Sequence, residues 1–335
     1  MAQSAQNSPS LPPSPSVLVG GAGPIGSRSG VVASVRGARL RAKVIIGDAL
    51  TALAKIADGT VQTCITSPPY YGLRNYGCTG QVGLEATLDE YVKNQADIFD
   101  EVWRILQPNG TLWLNVGDIF AGGGRGPTGE TGIGNQAKRQ GFTKNPVRLV
   151  PEGFKPKDLI LVGPMLVIEL QRRGWIFRSE IIWEKSNGMP GSQKDRPTVS
   201  HEKIYLLSKG PQYRYDCEAV KEPLAGSGAK AGTVLYGASG GKPLRSVWKI
   251  PVSHGGKGHF ATFPVELVRR CIHLTSNPGD TVLDPFGGTG TTGKVALELG
   301  RNAILVELNP RYIAPFIVRY GVKRAPQHAK GRVSP

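Results

Sequence analysis

Acidic residues are scarce. The chain has 335 residues, with 25 Asp and Glu against 41 Lys and Arg, for a formal net charge of +16. Cysteine is scarce too. Cys64, Cys78, Cys217 and Cys271 show no CxxC spacing and no histidine at ligand spacing, which argues against a zinc site or a disulfide framework. Long apolar runs are missing, and none reaches the roughly 18 residues of a membrane span. The N-terminus lacks a basic-then-apolar signal pattern, so the expectation is a cytoplasmic protein that touches no membrane and carries no metal. A hydrophobic content of 39% still allows a sizeable core, in one large α/β domain with insertions or in two smaller ones.

The positive charge is clustered. Residues 1–43 hold five basic residues and no acid, and 119–157 hold seven basic and two acidic. Residues 224–258 hold five basic and no acidic residues, and 309–335 hold six and none. The remainder is acidic on balance. The excess therefore lies outside the predicted core elements, as expected for loops and tails that touch phosphates on an ordinary folded body. Plain solubility does not need four single-sign clusters.

Residues 1–16 are rich in Ser, Pro and Gln and read as disordered. Gly21-x-Gly23-x-x-Gly26 is a formal dinucleotide fingerprint, with Asp48 at 22 residues past Gly26. Its strand is only three residues long and Pro24 sits inside the turn, so a basic leader over 1–42 explains the segment as well. From residue 43 strand-like and helix-like segments alternate, which predicts a doubly wound sheet. Strands are predicted over 43–48, 61–66, 111–116, 178–183, 203–208, 281–286 and 303–307, seven in all. Helices are predicted over 87–106, 160–173, 263–274 and 292–299. Thr87 is the N-cap of the first with Glu90 completing a capping box, and Pro108-Asn109-Gly110 stops it. Residues 119–157, with nine glycines, read as a mobile basic loop, and 210–258 as a second insertion outside the sheet. Residues 321–335 form a basic tail.

Two short segments carry the chemistry. Ser67-Pro68-Pro69-Tyr70 follows a predicted strand, and strand C-terminal ends are where ligands bind in open α/β sheets. Two prolines remove N–H donors and lock φ, so the Pro68 carbonyl faces the pocket as an acceptor, with Ser67 as a second. Two such acceptors suit the two hydrogens of a conjugated amino group, and Tyr70 offers a ring for stacking. Asp284-Pro285-Phe286-Gly287-Gly288-Thr289-Gly290 follows another strand and precedes a helix. Glycine there lets a ligand approach the backbone, and the helix N-terminus suits a carboxylate. Glu307 lies 20 residues after Gly287 at the next strand's end, where an acid bonds ribose hydroxyls. Each segment alone also reads as an ordinary turn.

Together, SPPY before DPFGGTG resembles the S-adenosylmethionine-dependent DNA amino-methyltransferases, in the permuted β-type order, over roughly residues 43–320. The resemblance implies a Rossmann-like seven-stranded methyltransferase sheet, S-adenosyl-L-methionine as cofactor and double-stranded DNA as partner. It makes Ser67, Pro68, Pro69 and Tyr70 catalytic. It places Asp284 near the methionine amino group, Phe286, Gly287, Gly288, Thr289 and Gly290 in the cofactor turn, Asp48 at the adenine, Glu307 at the ribose, and Thr262 and Phe263 over the methionine end. Serine at the first motif position is similar to the N4-cytosine members, so N4-methylcytosine is the expected product, with N6-methyladenine as the alternative. Cys64 follows Thr63, not a proline, so C5-cytosine chemistry is not expected.

A base in a duplex must be flipped out before its amino group can be reached. Arg125, Lys138, Arg139, Lys185, Lys194, Arg196, Lys242 and Arg245 are the predicted DNA contacts, and 210–258 the predicted target-recognition region. Arg196 is alternatively a structural partner of Asp195. Methylation of RNA or of a protein amide makes similar demands on the pocket. A non-catalytic DNA-binding module leaves both intact motifs unexplained, and an NAD oxidoreductase built on Gly21–Gly26 is the outside reading. A bacterial or phage origin is expected. A cognate restriction endonuclease, and a monomer or homodimer, stay open.

Overall fold

The computed structural model describes residues 40–73, 76–122, 150–188, 193–237, 240–252 and 263–322. Eight strands form the main sheet: β1 (Ala42–Ile46), β2 (Val61–Thr66), β3 (Leu106–Val116), β4 (Ile176–Glu184), β5 (His201–Ser208), β9 (Val247–Lys249), β10 (Thr281–Asp284) and β11 (Asn302–Glu307). They run in the order β1-β11-β10-β2-β3-β5-β4-β9. From β1 through β3 every neighbour is parallel, whereas β5 is antiparallel to both β3 and β4.

All seven predicted strands are present. The eighth, β9, comes from inside the predicted insertion 210–258 and pairs parallel with β4, Trp183 opposite Trp248. The sequence pattern puts that whole segment outside the sheet, and the structure does not. Three residues with one buried aromatic are too short to show a period in sequence, but Trp248 is 2% exposed and packs near Trp113. The rest of the segment contributes β6 (Val220–Glu222), β7 (Leu235–Tyr236) and β8 (Lys242–Pro243), which form a small sheet in the order β7-β6-β8.

Helices cover both faces. On one lie α1 (Ala49–Leu53), α2 (Leu88–Ile105) and α3 (Val162–Arg172), with Leu53, Phe99, Val102 and Leu166 in a shared core. On the other lie α4 (Val265–Thr275), α5 (Thr291–Glu298) and α6 (Pro310–Arg319), with Val268, Ile272, Val295 and Phe316 in a second core. The capping box of α2 forms as predicted, with Thr87 Oγ1 and the Glu90 carboxylate each accepting the other's backbone N–H. The helix also stops ahead of Pro108-Asn109-Gly110, as expected. The helix ends at Ile105, and those three residues lie within β3, where the pairing with β2 shifts register. A turn signal becomes an irregular strand start here because Leu106 is fully buried against the core.

The topology brings the two motifs together. β10 comes late in the chain yet sits beside β2, parallel, with Leu283 opposite Cys64. Ser67 and Pro285 therefore leave the sheet at the same end, though more than 200 residues separate them. Cys64 is fully buried in β2, the filler expected of it.

Candidate active site

The two strand ends open into one cavity of about 400 Å³. Ser67 to Tyr70 line one end, and Asp284 to Thr289 with Glu307 the other; Asp48, Phe263 and Tyr312 complete it. The size is that of a small-molecule site.

The glycine turn is held by acids. Asp284 is 4% exposed. Its Oδ1 accepts from Thr66 Oγ1 at 2.7 Å and from the Phe286 N–H at 3.1 Å, and its Oδ2 from Thr292 Oγ1 at 2.7 Å. Burial raises its carboxyl above the usual carboxylate range, while these three donors pull the other way. Asp284 thus ties β10 to β2 and to α5. Glu307 accepts from the Gly288 N–H at 2.7 Å and from the Asn309 N–H at 2.8 Å. Burial pushes its carboxyl up to about 7, and the charge of Asp284 adds to the rise. Gly290 has φ +83°, a region costly for other residues, and a Cβ there would lie 2.5 Å from the Phe316 ring. Asp48 caps α1, accepting from the Thr51 N–H at 2.9 Å.

The Ser67–Tyr70 end is a polar network. Ser67 Oγ donates to the Tyr70 hydroxyl at 3.2 Å. That hydroxyl lies 2.9 Å from Glu202 Oε2 and 3.1 Å from Asn115 Oδ1, and its one proton serves one of them at a time. Asn115 Nδ2 donates to the same Glu202 oxygen at 3.1 Å. Burial raises the Tyr70 hydroxyl well above its ordinary value, and Glu202 adds to this, so Tyr70 stays neutral. The Tyr70 ring packs where a Cβ on Gly117 would stand. Tyr91 donates to the Pro69 carbonyl at 2.9 Å. Pro68 lines the cavity, and among the described residues no donor takes its carbonyl.

The chain belongs to the DNA methylase family. The family model, which covers the N6- and N4-methylating enzymes, matches residues 61–318. The chain is 44% identical over 270 residues to the Type II methyltransferase M.SmaI of Serratia marcescens, covering 81% of this chain and 87% of the relative. It is 42% identical over 273 residues to M.XycI of Xanthomonas campestris pv. cyanopsidis, covering 80% and 83%. Its fold is similar to that of the PvuII DNA methyltransferase (cytosine-N4-specific), with a TM-score of 0.59 at 19% identity over 88% of each chain. A Thermus thermophilus protein solved with S-adenosyl-L-methionine gives a TM-score of 0.52 at 25% identity, over 82% of this chain and 91% of that one.

This DNA methylase uses S-adenosyl-L-methionine, and the cavity fits that molecule. It offers the glycine turn, acids at two strand ends, and the rings of Phe263, Phe286 and Tyr312. Of the predicted cofactor residues, Asp48, Phe263, Asp284, Phe286, Gly287, Gly288, Thr289 and Glu307 line it. Gly290 stands behind the turn as the N-cap of α5. Thr262 lies outside the described residues, as do Arg125, Lys138, Arg139 and the Gly21–Gly26 segment.

The described cations of the predicted DNA face are spread out. Lys194 is exposed. The Arg196 guanidinium stacks over Phe120 at 3.6 Å, and Asp195 pairs with Lys157 at 2.8 Å, so the alternative Arg196–Asp195 pairing does not form. Arg245 and Lys242 both reach Glu222, at 2.8 and 3.5 Å. Lys185 lines the cavity itself.

Asn115, Glu202 and Trp183 also line the site, and the sequence reading missed them. Asn115 carried a signal, a polar residue in the otherwise apolar run Leu112-Trp113-Leu114-Asn115-Val116. Glu202 carried none, because β5 reaches the cavity only through its antiparallel pairing with β3.

Proposed function

We propose that the protein methylates the exocyclic N4 of cytosine in duplex DNA, at a specific site and on a base flipped into the Ser67–Tyr70 end of the cavity. The carrying observation is the state of Ser67. Its proton goes to Tyr70, which leaves the oxygen lone pairs open to an incoming N–H. The Pro68 carbonyl supplies the second acceptor. Two acceptors match the two hydrogens of an amino group and draw the nitrogen toward a tetrahedral, nucleophilic geometry. Serine at this position, as in the N4-cytosine members that the motif resembles, favours cytosine over adenine.

When bound, S-adenosyl-L-methionine supplies an activated methyl group on a sulfonium. The chain's own contribution is positioning. The glycine turn and Glu307 hold one end of the cavity, Asp48 and Phe263 flank it, and Ser67, Pro68 and Tyr70 orient the target. Tyr70, neutral and tied to Glu202 and Asn115, gives the base a fixed ring to stack on. The proton shed by the amino nitrogen passes to solvent.

Lys194, Arg196, Lys242 and Arg245 serve this site as phosphate contacts, together with the basic segment 119–157, and residues 210–258 are the target-recognition region. The leader 1–42, the catalytic unit 43–320 and the tail 321–335 complete this organisation. A cytoplasmic enzyme acting beside a cognate restriction endonuclease fits relatives that are Type II methyltransferases. Among the described residues no helix is long and apolar enough to cross a membrane.

The test is direct. Purified protein, unmethylated duplex DNA and labelled S-adenosylmethionine are incubated, and the labelled nucleoside is identified by mass spectrometry. N4-methylcytosine is expected. N6-methyladenine would overturn the base assignment while keeping the family.

A further inference from the structure

The sequence assigns Lys185 to phosphate contact, yet it sits inside the target end of the cavity. Its Nζ donates to Glu202 Oε1 at 2.5 Å, and lies 5.2 Å from the centre of the Trp183 ring. The other Glu202 oxygen is held by Tyr70 and Asn115. The Lys185 backbone N–H bonds the Ser200 carbonyl at 2.8 Å. The ammonium is therefore held by Glu202 of β5, whose other oxygen is tied to Asn115 of β3, at the end of a hydrogen-bonded chain that starts on Ser67. Its side chain is only 24% exposed, and Glu202 offsets its charge. Such a pair is poorly suited to a backbone phosphate and well suited to a neutral, polar ring.

We propose that Lys185 reads the ring acceptors of the flipped base, N3 and O2 of cytosine, and so helps select cytosine over adenine. This deepens the cytosine reading and rests on it. An ammonium has three N–H groups, and Glu202 accepts one. Two donors remain beside the amino pocket. Next to its amino group cytosine presents two acceptors in a row, N3 and then O2. Adenine presents one, N1, and then a C–H. With adenine in place, one donor of a partly buried ammonium is left without a partner, and sites built this way reject the analogue that lacks the acceptor. Glu202 acts as the positioning residue that aims the ammonium.

The test deletes one acceptor from the base and the donor from the protein. The full chain is given a duplex oligonucleotide carrying its own site, mapped beforehand by sequencing modified bases in DNA from expressing cells. The target cytosine is either unchanged or replaced by 3-deazacytosine, where N3 becomes C–H. Single-turnover methyl transfer, the identity of the product and cofactor affinity are measured for the wild type and for Lys185→Met. The wild type is expected to lose about tenfold or more on the deaza duplex. Lys185→Met should lose a similar factor on ordinary cytosine, lose clearly less than the wild type on going to the deaza duplex, and bind cofactor within about twofold of the wild type. Equal sensitivity to the deletion in both proteins overturns the assignment, because the altered reactivity of the analogue is common to both. If Lys185→Met loses cofactor binding through misfolding, Lys185→Arg carries the test. It keeps the charge but moves the donors, so its sensitivity must fall below that of the wild type. An N4-methylcytosine product with unchanged sensitivity sinks the Lys185 role alone. An N6-methyladenine product from the wild type sinks the cytosine reading with it.

Discussion

The Gly288 N–H donates to the Glu307 carboxylate at 2.7 Å, joining the glycine turn to the end of the neighbouring strand. The same carboxylate caps the Asn309 N–H at the start of α6. An acid expected to serve a ribose therefore also shapes the turn that precedes α5. Glu307→Ala should weaken S-adenosylmethionine binding through both routes, by about tenfold or more if one charge-assisted hydrogen bond is lost. Titration calorimetry checks this, and unchanged affinity would remove Glu307 from the site.

The same residue gives a pH dependence. Burial raises its folded carboxyl from 4.5 to about 7. The folded chain then binds more protons than the unfolded chain between those values, so stability falls as pH rises through that window. The contribution is fully present below about pH 4.5 and gone above about pH 7, and it is on the order of 3 kcal/mol. Urea midpoints of the cofactor-free protein at pH 5 and pH 8 should differ in that direction, and less so in Glu307→Gln. An equal slope in both proteins would assign the effect to another group.

Ser67→Ala removes the proposed acceptor for the amino group without touching the glycine turn. Methyl transfer in a single turnover should fall by about a hundredfold, the scale seen when one transition-state hydrogen bond is deleted. Cofactor affinity should hardly change. A parallel loss of both would indicate misfolding and undo the assignment.

Gly117 follows β3 and carries no side chain because the Tyr70 ring fills that space. Gly117→Ala must displace the ring and break its contacts to Glu202 and Asn115. Turnover should drop by about tenfold or more while the cofactor still binds, since misplacement by about an ångström is costly in catalysis. Full activity in this variant would show that Tyr70 need not sit where it does.

Gly290→Ala meets two obstacles, a φ of +83° and the Phe316 ring. The expected loss is about 2 kcal/mol or more of unfolding free energy, read from urea denaturation. Because the turn itself deforms, cofactor affinity should fall with it.

Much of this molecule was written in local patterns. The seven strands, the capping box at Thr87 and Glu90, and the two motifs at strand ends depend on a few adjacent residues, through apolar periodicity, turn chemistry and helix capping. Those are short-range interactions, and a linear chain displays them. The meeting of Ser67 with Phe286 and Glu307 is different. It follows from β10 inserting between β11 and β2, a pairing of backbones more than 200 residues apart. Likewise Glu202 and Lys185 show nothing in their own neighbourhoods, and one reads as an ordinary strand acid and the other as a surface cation. Only the antiparallel docking of β5 against β3 and β4 carries them to Tyr70 and Asn115. Tertiary structure decided those partners because hydrogen bonding and burial across a sheet depend on which strands become neighbours, and spacing along the chain does not encode that.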